Sequence, residues 1–348
     1  MNRNNFDTIR LIAASLVLYG HSFVFLGLRE PLFLSWIPLG PLGVYIFFTI
    51  SGYLISQSWD RDRNFKRFII RRFLRIFPGL SVCIALSILL LGPLLTTLTL
   101  HEYFTNFHTF GYLRNIGLFI VYYLPGVYET NRVANAVNGS LWSLPIEFSL
   151  YIITGLIGLV CKGRWCILAL AAGYATICFQ WAWKTEDMLV IYGSDMRQLF
   201  ICGTYFWVGA LLHKFNFKNF MSIPVALGAA TIMLCLEPYG SHSLKIASWI
   251  LLPIIIFSFG LSHSKFLEKL TTSGDYSYGI YIYAFPIQQA IVYLNPKIGI
   301  AAYLTECFIV TVIFAVLSWH LIEKKMLMLK PLPPPINPLN LSRNHTGL

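Results

Sequence analysis

Arg10 and His21 stand eleven residues apart in the first apolar stretch, Phe6-Asp-Thr-Ile-Arg-Leu-Ile-Ala-Ala-Ser-Leu-Val-Leu-Tyr-Gly-His21. On an α-helix that interval is about three turns and roughly 16 Å, so both side chains project from one face at different depths. A guanidinium grips phosphate oxygens in a fixed fork, and an imidazole exchanges protons near neutral pH. Ionisable groups inside a membrane segment are costly and face a bundle interior or a wet cavity, which makes each a functional candidate.

Glu147 ends the segment Asn138-Gly-Ser-Leu-Trp142-Ser-Leu-Pro-Ile-Glu147, at the entrance of a later apolar run. If the first run starts inside and this one outside, His21 lies roughly 22 Å along its helix and Glu147 about 10 Å below the external face. That puts the pair at a similar level, where a carboxylate would orient the imidazole and raise its basicity. Such a histidine can take a proton from a hydroxyl. The competing account makes each a structural residue bonded to a neighbouring helix.

A second constellation is Arg71-Arg72-Phe-Leu-Arg75-Ile-Phe-Pro78. Arg72 and Arg75, three apart, share a helical face. Beside Arg10 they would form a clamp for a polyphosphorylated cytoplasmic ligand. Equally, the arginines suit a basic loop touching anionic lipid, with Arg10 snorkelling to the headgroups. Ser51 and Gly52 in Phe47-Phe-Thr-Ile-Ser-Gly read as small residues for close helix packing, since no nucleophile elbow surrounds Ser51. Asp275 precedes a tyrosine-rich run and suits a helix cap; Pro286 would kink that helix, and Gln288 or Gln289 offers hydrogen bonds to a polar ligand. His101 and His108 read as solvated loop residues.

The elements that must position these groups are membrane helices. Of 348 residues 56% are hydrophobic and 12% charged, with mean hydropathy +0.64, where a soluble domain carries about 25% charge. Apolar runs over 6–26, 39–59, 77–98, 141–161, 165–183, 199–213, 222–236, 246–261, 276–294 and 299–322 predict an all-α integral membrane protein, a polytopic bundle of about ten transmembrane helices. The net charge of +11 does not point to nucleic acid, because Arg61, Arg63, Lys66, Arg67, Arg71, Arg72 and Arg75 cluster between the second and third runs. The positive-inside rule makes that connection cytoplasmic, along with both termini, and Lys162, Arg164, Lys214, Lys218, Lys265, Lys269, Lys324 and Lys325 then fall on the same side. The first run lacks a cleavage pattern and reads as a retained helix.

The external connection 99–139 contains an apolar piece, 116–124, too short to span, which suits a re-entrant or interfacial helix. Residues 1–330 read as one transmembrane domain and 331–348 as a Pro-rich, disordered cytoplasmic tail. Seven scattered cysteines have neither metal-ligand spacing nor a disulfide framework and read as small core residues.

Through Arg10-x10-His21, Phe47-Phe-Thr-Ile-Ser-Gly, Arg72-Phe-Leu-Arg75, Ser140-Leu-Trp-Ser-Leu-Pro-Ile-Glu147 and Ser277-Tyr-Gly-Ile-Tyr, the chain resembles the acyltransferase-3 family of membrane O-acyltransferases acting on cell-surface carbohydrates. Many members carry a histidine shortly before the proline of the last motif, where this chain has Ala284-Phe285-Pro286. The resemblance implies an O-acetyltransferase of the bacterial inner membrane that moves acetyl from cytoplasmic acetyl-CoA to a hydroxyl of an exopolysaccharide, O-antigen or lipid-linked glycan, without a metal. It implies His21 and Glu147 as catalytic residues, Arg10, Arg72 and Arg75 as donor-binding residues, and Trp142 and Gln288 as acceptor contacts. Membrane lipid and other polysaccharide-assembly proteins are the implied partners. The rival reading is a proton-coupled transporter or translocator of a lipid-linked sugar; the arginine clamp and the lack of an internal repeat argue against it.

Overall fold

The apolar periodicity of the chain is realised almost entirely as helix. The computed structural model describes residues 5–161, 163–262 and 274–331; Lys162, Lys265, Lys269 and nearly all of the expected tail lie outside them. Within the described residues each expected run contains a helix: α1 Phe6–Leu26, α2 Leu39–Arg61, α3 Phe65–Leu95, α4 Ser143–Val160, α5 Arg164–Ile177, α6 Met196–Lys214, α7 Ile223–Leu236, α8 Ser241–Gly260, α9 Ser277–Leu294 and α10 Ile300–Ser318. Among the described residues, seven helical stretches are long and apolar enough to cross a membrane, those built on α1 to α5, α8 and α10. The expected count of about ten spans goes beyond these seven. α7 is short, while α9 is diluted by Tyr278, Tyr281, Tyr283, Gln288 and Gln289, all buried against protein. A helix wrapped by other helices has no need of a lipid-facing surface.

The third helix begins twelve residues before the expected start. Asn64 accepts the Arg67 amide at 2.9 Å and caps it. Pro78 lies well inside the helix. The basic run is therefore amphipathic helix: Phe68 is fully buried, and Asp62 neutralises Arg67 at 2.6 Å and Arg71 at 2.7 Å. Asp62's carboxyl is held well below the ordinary range, first by the Arg67 hydrogen bond, which with Arg71 outweighs burial.

Small residues set the closest crossings. Gly43 of α2 faces the Ala13 carbonyl of α1, Gly52 of α2 lies against the Phe206 backbone of α6, and Gly209 of α6 lies against the Thr49 backbone of α2. Any side chain at these positions would hold the helices apart, as expected of Gly52 from sequence.

The connection 99–139 departs from expectation. Its apolar piece, 116–124, shares only Ile116 and Gly117 with the 3-10 turn Tyr112–Gly117 and continues as non-helical backbone, where Asn115 captures the Val121 amide and carbonyl at 3.0 and 2.9 Å. The inward dip comes later: Asn138 donates to the Ile282 carbonyl at 2.8 Å, so the turn Gly139–Trp142 sits part-way down α9. Tyr128 and Asn131 fasten the connection to Pro286 and Gln289 at 3.1 Å each. Two-residue hairpins, Leu32–Phe33 with Ile37–Pro38 and Val190–Ile191 with Ser194–Asp195, close the turns before α2 and α6. The absence of disulfides expected from sequence is corrected at one place, where Cys161 and Cys166 are joined; their five-residue separation across the α4–α5 turn brings the two within reach. Cys83, Cys178, Cys202 and Cys307 are buried free thiols.

Candidate active site

α1, α3 and α9 bring their charged ends together. Asp275, two residues before α9, accepts Arg75 at 2.5 Å and faces Arg10 at 3.6 Å, while Arg10 also reaches Asp7 at 3.4 Å and Arg75 approaches Glu323 at 3.9 Å. Asp275 further takes the Ser277 hydroxyl at 2.5 Å and amide at 3.3 Å, as the sequence expected of a cap. Burial pushes its carboxyl up, but Arg75, then Arg10 and the Ser277 bonds hold it below the ordinary value. Among the described residues Arg72 has no carboxylate partner: its Nη2 reaches Ser58 Oγ at only 3.4 Å, and its buried Nε makes no hydrogen bond to them.

These groups line a cavity of about 310 Å³, bounded at one end by Asp7, Arg10, Arg72, Arg75, Asp275 and Lys330 and extending to Ser51, Ser143, Glu147, Tyr151 and Tyr281. The three arginines singled out from sequence thus share one chamber. A guanidinium kept buried without a carboxylate is costly, so a cluster of this kind is suited to an anionic guest. Charge-assisted hydrogen bonds to phosphate oxygens would satisfy the orphaned Arg72 donor.

Glu147 is placed differently from the sequence expectation. It accepts Ser51 Oγ at 3.0 Å and the Tyr151 hydroxyl, and among the described residues no hydrogen bond joins it to His21. Glu147 sits deeper in the bundle than the depth count from sequence puts it. The dip at Asn138–Trp142 lowers the first turn of α4 into the bundle, so Glu147 meets Ser51 in the middle of α2. Its pairing with His21 is corrected accordingly, and Glu147 lines the chamber of the arginines.

His21 lies farther along α1, against the edge of Phe285 at 5.4 Å and Phe25 at 6.1 Å between ring centres. Among the described residues its buried Nδ1 has no hydrogen-bond partner, and it does not line the chamber. Phe285 is the residue that stands before Pro286, and its far edge covers Gly139 of the inward turn. Arg10 and His21 nevertheless face the same neighbour: α1 and α9 run side by side, with Arg10 beside Asp275, His21 beside Phe285, and Gln288 bonded to Leu18 and Ser22. The shared helical face read from the eleven-residue spacing is therefore the face toward α9.

The two expected acceptor contacts are outside the chamber lining. Gln288 is fully buried and gives its amide to the Leu18 carbonyl at 2.8 Å and Ser22 Oγ at 2.7 Å, so it ties α9 to α1. Trp142 is partly buried, with its carbonyl accepting Ser194 Oγ at 3.2 Å. The sequence reading missed Ser51 as the partner of Glu147, Tyr151 and Lys330. Tyr151 was findable, since i,i+4 spacing from Glu147 sets both on one helical face; Lys330 carried no local signal. Among the described residues no group of three or more His, Cys, Asp or Glu side chains is placed to hold a metal ion.

The family model described as an acyltransferase domain (acyltransferase-3) matches residues 3–322. An O-acetyl transferase of Shigella phage Sf6 is 31% identical over 94% of this chain and 97% of that protein. Nodulation protein 10 of Rhizobium leguminosarum is 27% identical over 94% of each chain. The peptidoglycan O-acetyltransferase OatA of Listeria monocytogenes is 28% identical over 47% of this chain and 28% of its own length. No solved structure matches.

Proposed function

The chain belongs to the acyltransferase-3 family and is an O-acyltransferase; on that premise we propose that it moves acetyl from cytoplasmic acetyl-CoA to a hydroxyl of a surface polysaccharide or lipid-linked glycan, with His21 as the catalytic residue. The observation that carries this reading is the convergence of Arg10, Arg72 and Arg75 on one chamber that continues to Glu147. The arginines hold the coenzyme's phosphates, and the pantetheine arm runs along α1 and α9 toward His21. The path from Arg10 to His21 is eleven residues of helix, roughly 16 Å, a length that an extended pantetheine arm can cover.

At the far end, the acceptor hydroxyl gives its proton to His21, whose Nδ1 has no protein partner to satisfy. The hydroxyl oxygen attacks the thioester carbonyl, the carbon–sulfur bond breaks, and the coenzyme leaves as its thiol with the proton returned to sulfur. Glu147, held by Ser51 and Tyr151, shapes the chamber on the approach to that point, and Trp142 beside the inward turn contacts the acceptor. Gln288 positions α1. The names of the phage and Listeria relatives, an O-acetyl transferase and a peptidoglycan O-acetyltransferase, support acetyl as the group moved and a glycan as its acceptor.

In this reading the protein sits in a bacterial inner membrane with both termini cytoplasmic. Membrane lipid surrounds it, other polysaccharide-assembly proteins are its partners, and nucleic acid has no role. Purified protein in liposomes is expected to transfer labelled acetyl from acetyl-CoA to a glycan, and His21→Ala is expected to abolish transfer while still inserting. Undiminished transfer by His21→Ala overturns the assignment.

A further inference from the structure

Lys330 follows the last helical turn of the described chain, Lys324–Met328, and its amide closes that turn onto Leu327 at 3.3 Å. It lies beyond the end of the final membrane-crossing stretch, Ile300–Met328. Even so it lines the chamber with Arg10, Arg72 and Arg75, and Trp319 and Leu327 from the same segment line it too. Four cations therefore face the polar end of one cavity across from two aspartates, Asp7 and Asp275. Asp275 is already committed to Arg75 and Arg10. Among the described residues Arg72 has no carboxylate partner and no ion pair reaches Lys330. Burial and then the repulsion of Arg72, Arg75 and Arg10 pull the Lys330 ammonium from 10.5 down to about 8, with Asp275 the one group that opposes this. A cation crowded by cations without its own counter-ion marks a place for an anion.

We propose that Lys330 is the outermost of the donor-binding cations and holds the phosphomonoester at the nucleotide end of the coenzyme, while Arg10, Arg72 and Arg75 hold the diphosphate deeper in the chamber. This rests on the assignment of the chamber to acyl-coenzyme A and adds a specificity determinant to it. The order follows from connectivity on both sides. In coenzyme A the thiol arm, the diphosphate and the ribose 3′-phosphate succeed one another. In the protein Arg72 and Arg75 project from within α3, eight and eleven positions into the helix (roughly 10 and 15 Å), whereas Lys330 comes from the chain after the last helix. An ammonium on a flexible stem acts as a point charge and suffices to hold a monoester dianion.

The test measures direct binding of coenzyme A and of 3′-dephospho-coenzyme A by calorimetry, to the full chain in neutral detergent. Wild type is expected to prefer coenzyme A by roughly tenfold or more, the factor supplied by one charge-assisted hydrogen bond. Lys330→Ala is expected to lose that preference while binding the dephospho form as wild type does; Lys330→Arg should keep it. Equal weakening toward both ligands, or an intact preference in Lys330→Ala, overturns the proposal and leaves the chamber assignment standing. Wild type that binds neither ligand overturns both. A parallel arm in vesicles containing phosphatidylglycerol separates the two sources of phosphate: a Lys330→Ala effect confined to anionic lipid assigns Lys330 to a headgroup and overturns its donor role.

Discussion

Gly52→Ala tests whether the α2–α6 crossing holds the chamber in shape. A methyl carbon on Gly52 would sit 2.6 Å from the carbonyl carbon of Phe206, where carbon atoms settle at about 3.5–4.0 Å. The Phe206 carbonyl oxygen lies nearer still, and because the obstacle is backbone no rotamer change relieves it, so the helices must part by more than about 1 Å. Overpacking of this type costs about 1–3 kcal/mol, and contact at the centre of a two-helix interface puts this site at the upper end. Ser51 is the neighbouring residue, and its 3.0 Å bond to Glu147 moves with the helix. Misplacement of a positioned group by about 1 Å can lower a rate by as much as 100-fold. Gly173→Ala is the control, because it lies inside α5 with nothing within 4 Å of the added carbon; there the substitution should be neutral or stabilise by about 0.5–1 kcal/mol. Unfolding in mixed micelles and acetyl transfer would be measured on both variants. Gly52→Ala with the stability and turnover of the Gly173→Ala protein would refute the packing argument and the chamber geometry built on it.

Arg72→Ala and Arg75→Ala, made separately, should both raise the donor KM. The larger rise in overall stability cost belongs to Arg75→Ala, which leaves buried Asp275 short of its 2.5 Å partner at a cost of about 3 kcal/mol; donor titration with parallel unfolding curves checks this. Donor affinity should fall as pH rises through about 8, where Lys330 in the empty chamber loses its proton, and that alkaline decline should disappear in Lys330→Ala; binding isotherms between pH 6.5 and 9.5 read it out. Asp62 carries a depressed carboxyl pKa in the folded chain, so its contribution to stability is complete above the unfolded value of about 3.9 and is lost as pH falls toward the lower folded one. Asp62→Asn should therefore lower stability at neutral pH and flatten its decline in acid, as followed by the unfolding midpoint against pH. Glu147→Gln keeps hydrogen-bonding capacity toward Ser51 and Tyr151 and should insert normally; donor binding close to wild type with reduced transfer is the expected split between KM and kcat.

Most helices were legible because they are long and strongly apolar, and the α1 face was legible because an eleven-residue interval nearly closes three turns. The convergence of Arg10, Arg72 and Arg75 followed from charge sign and helix direction alone. What escaped was whatever depended on tertiary depth. Glu147 was set too high because depth was counted from a surface that the chain leaves early, at Asn138. The start of α3 was set too late because its first three turns carry the charge of a loop and the apolar spacing of a helix, and burial of Phe68 decides the outcome. Gln288 and Gln289 read as ligand donors, yet their amides are consumed by Leu18 and Ser22 on one side and by Val133 and Ala136 on the other. A buried amide is satisfied by whichever neighbour reaches it first, and sequence does not name neighbours.

Those two glutamines have a consequence for how the protein opens. Adjacent on α9, they point about 100° apart, so one helix is bonded to α1 through Gln288 and to the external connection through Gln289. Neither attachment can be released into hydrocarbon without exposing unpaired amide and carbonyl groups. The outer cover and the histidine-bearing helix therefore belong to one cooperative unit. Amide hydrogen exchange at Asn135 and Val137, whose N–H groups donate to Tyr128 and Tyr122 within the same connection, should be as slow as at the core of α1, and a protease cut between Val133 and Ala136 should loosen a helix on the other side of α9.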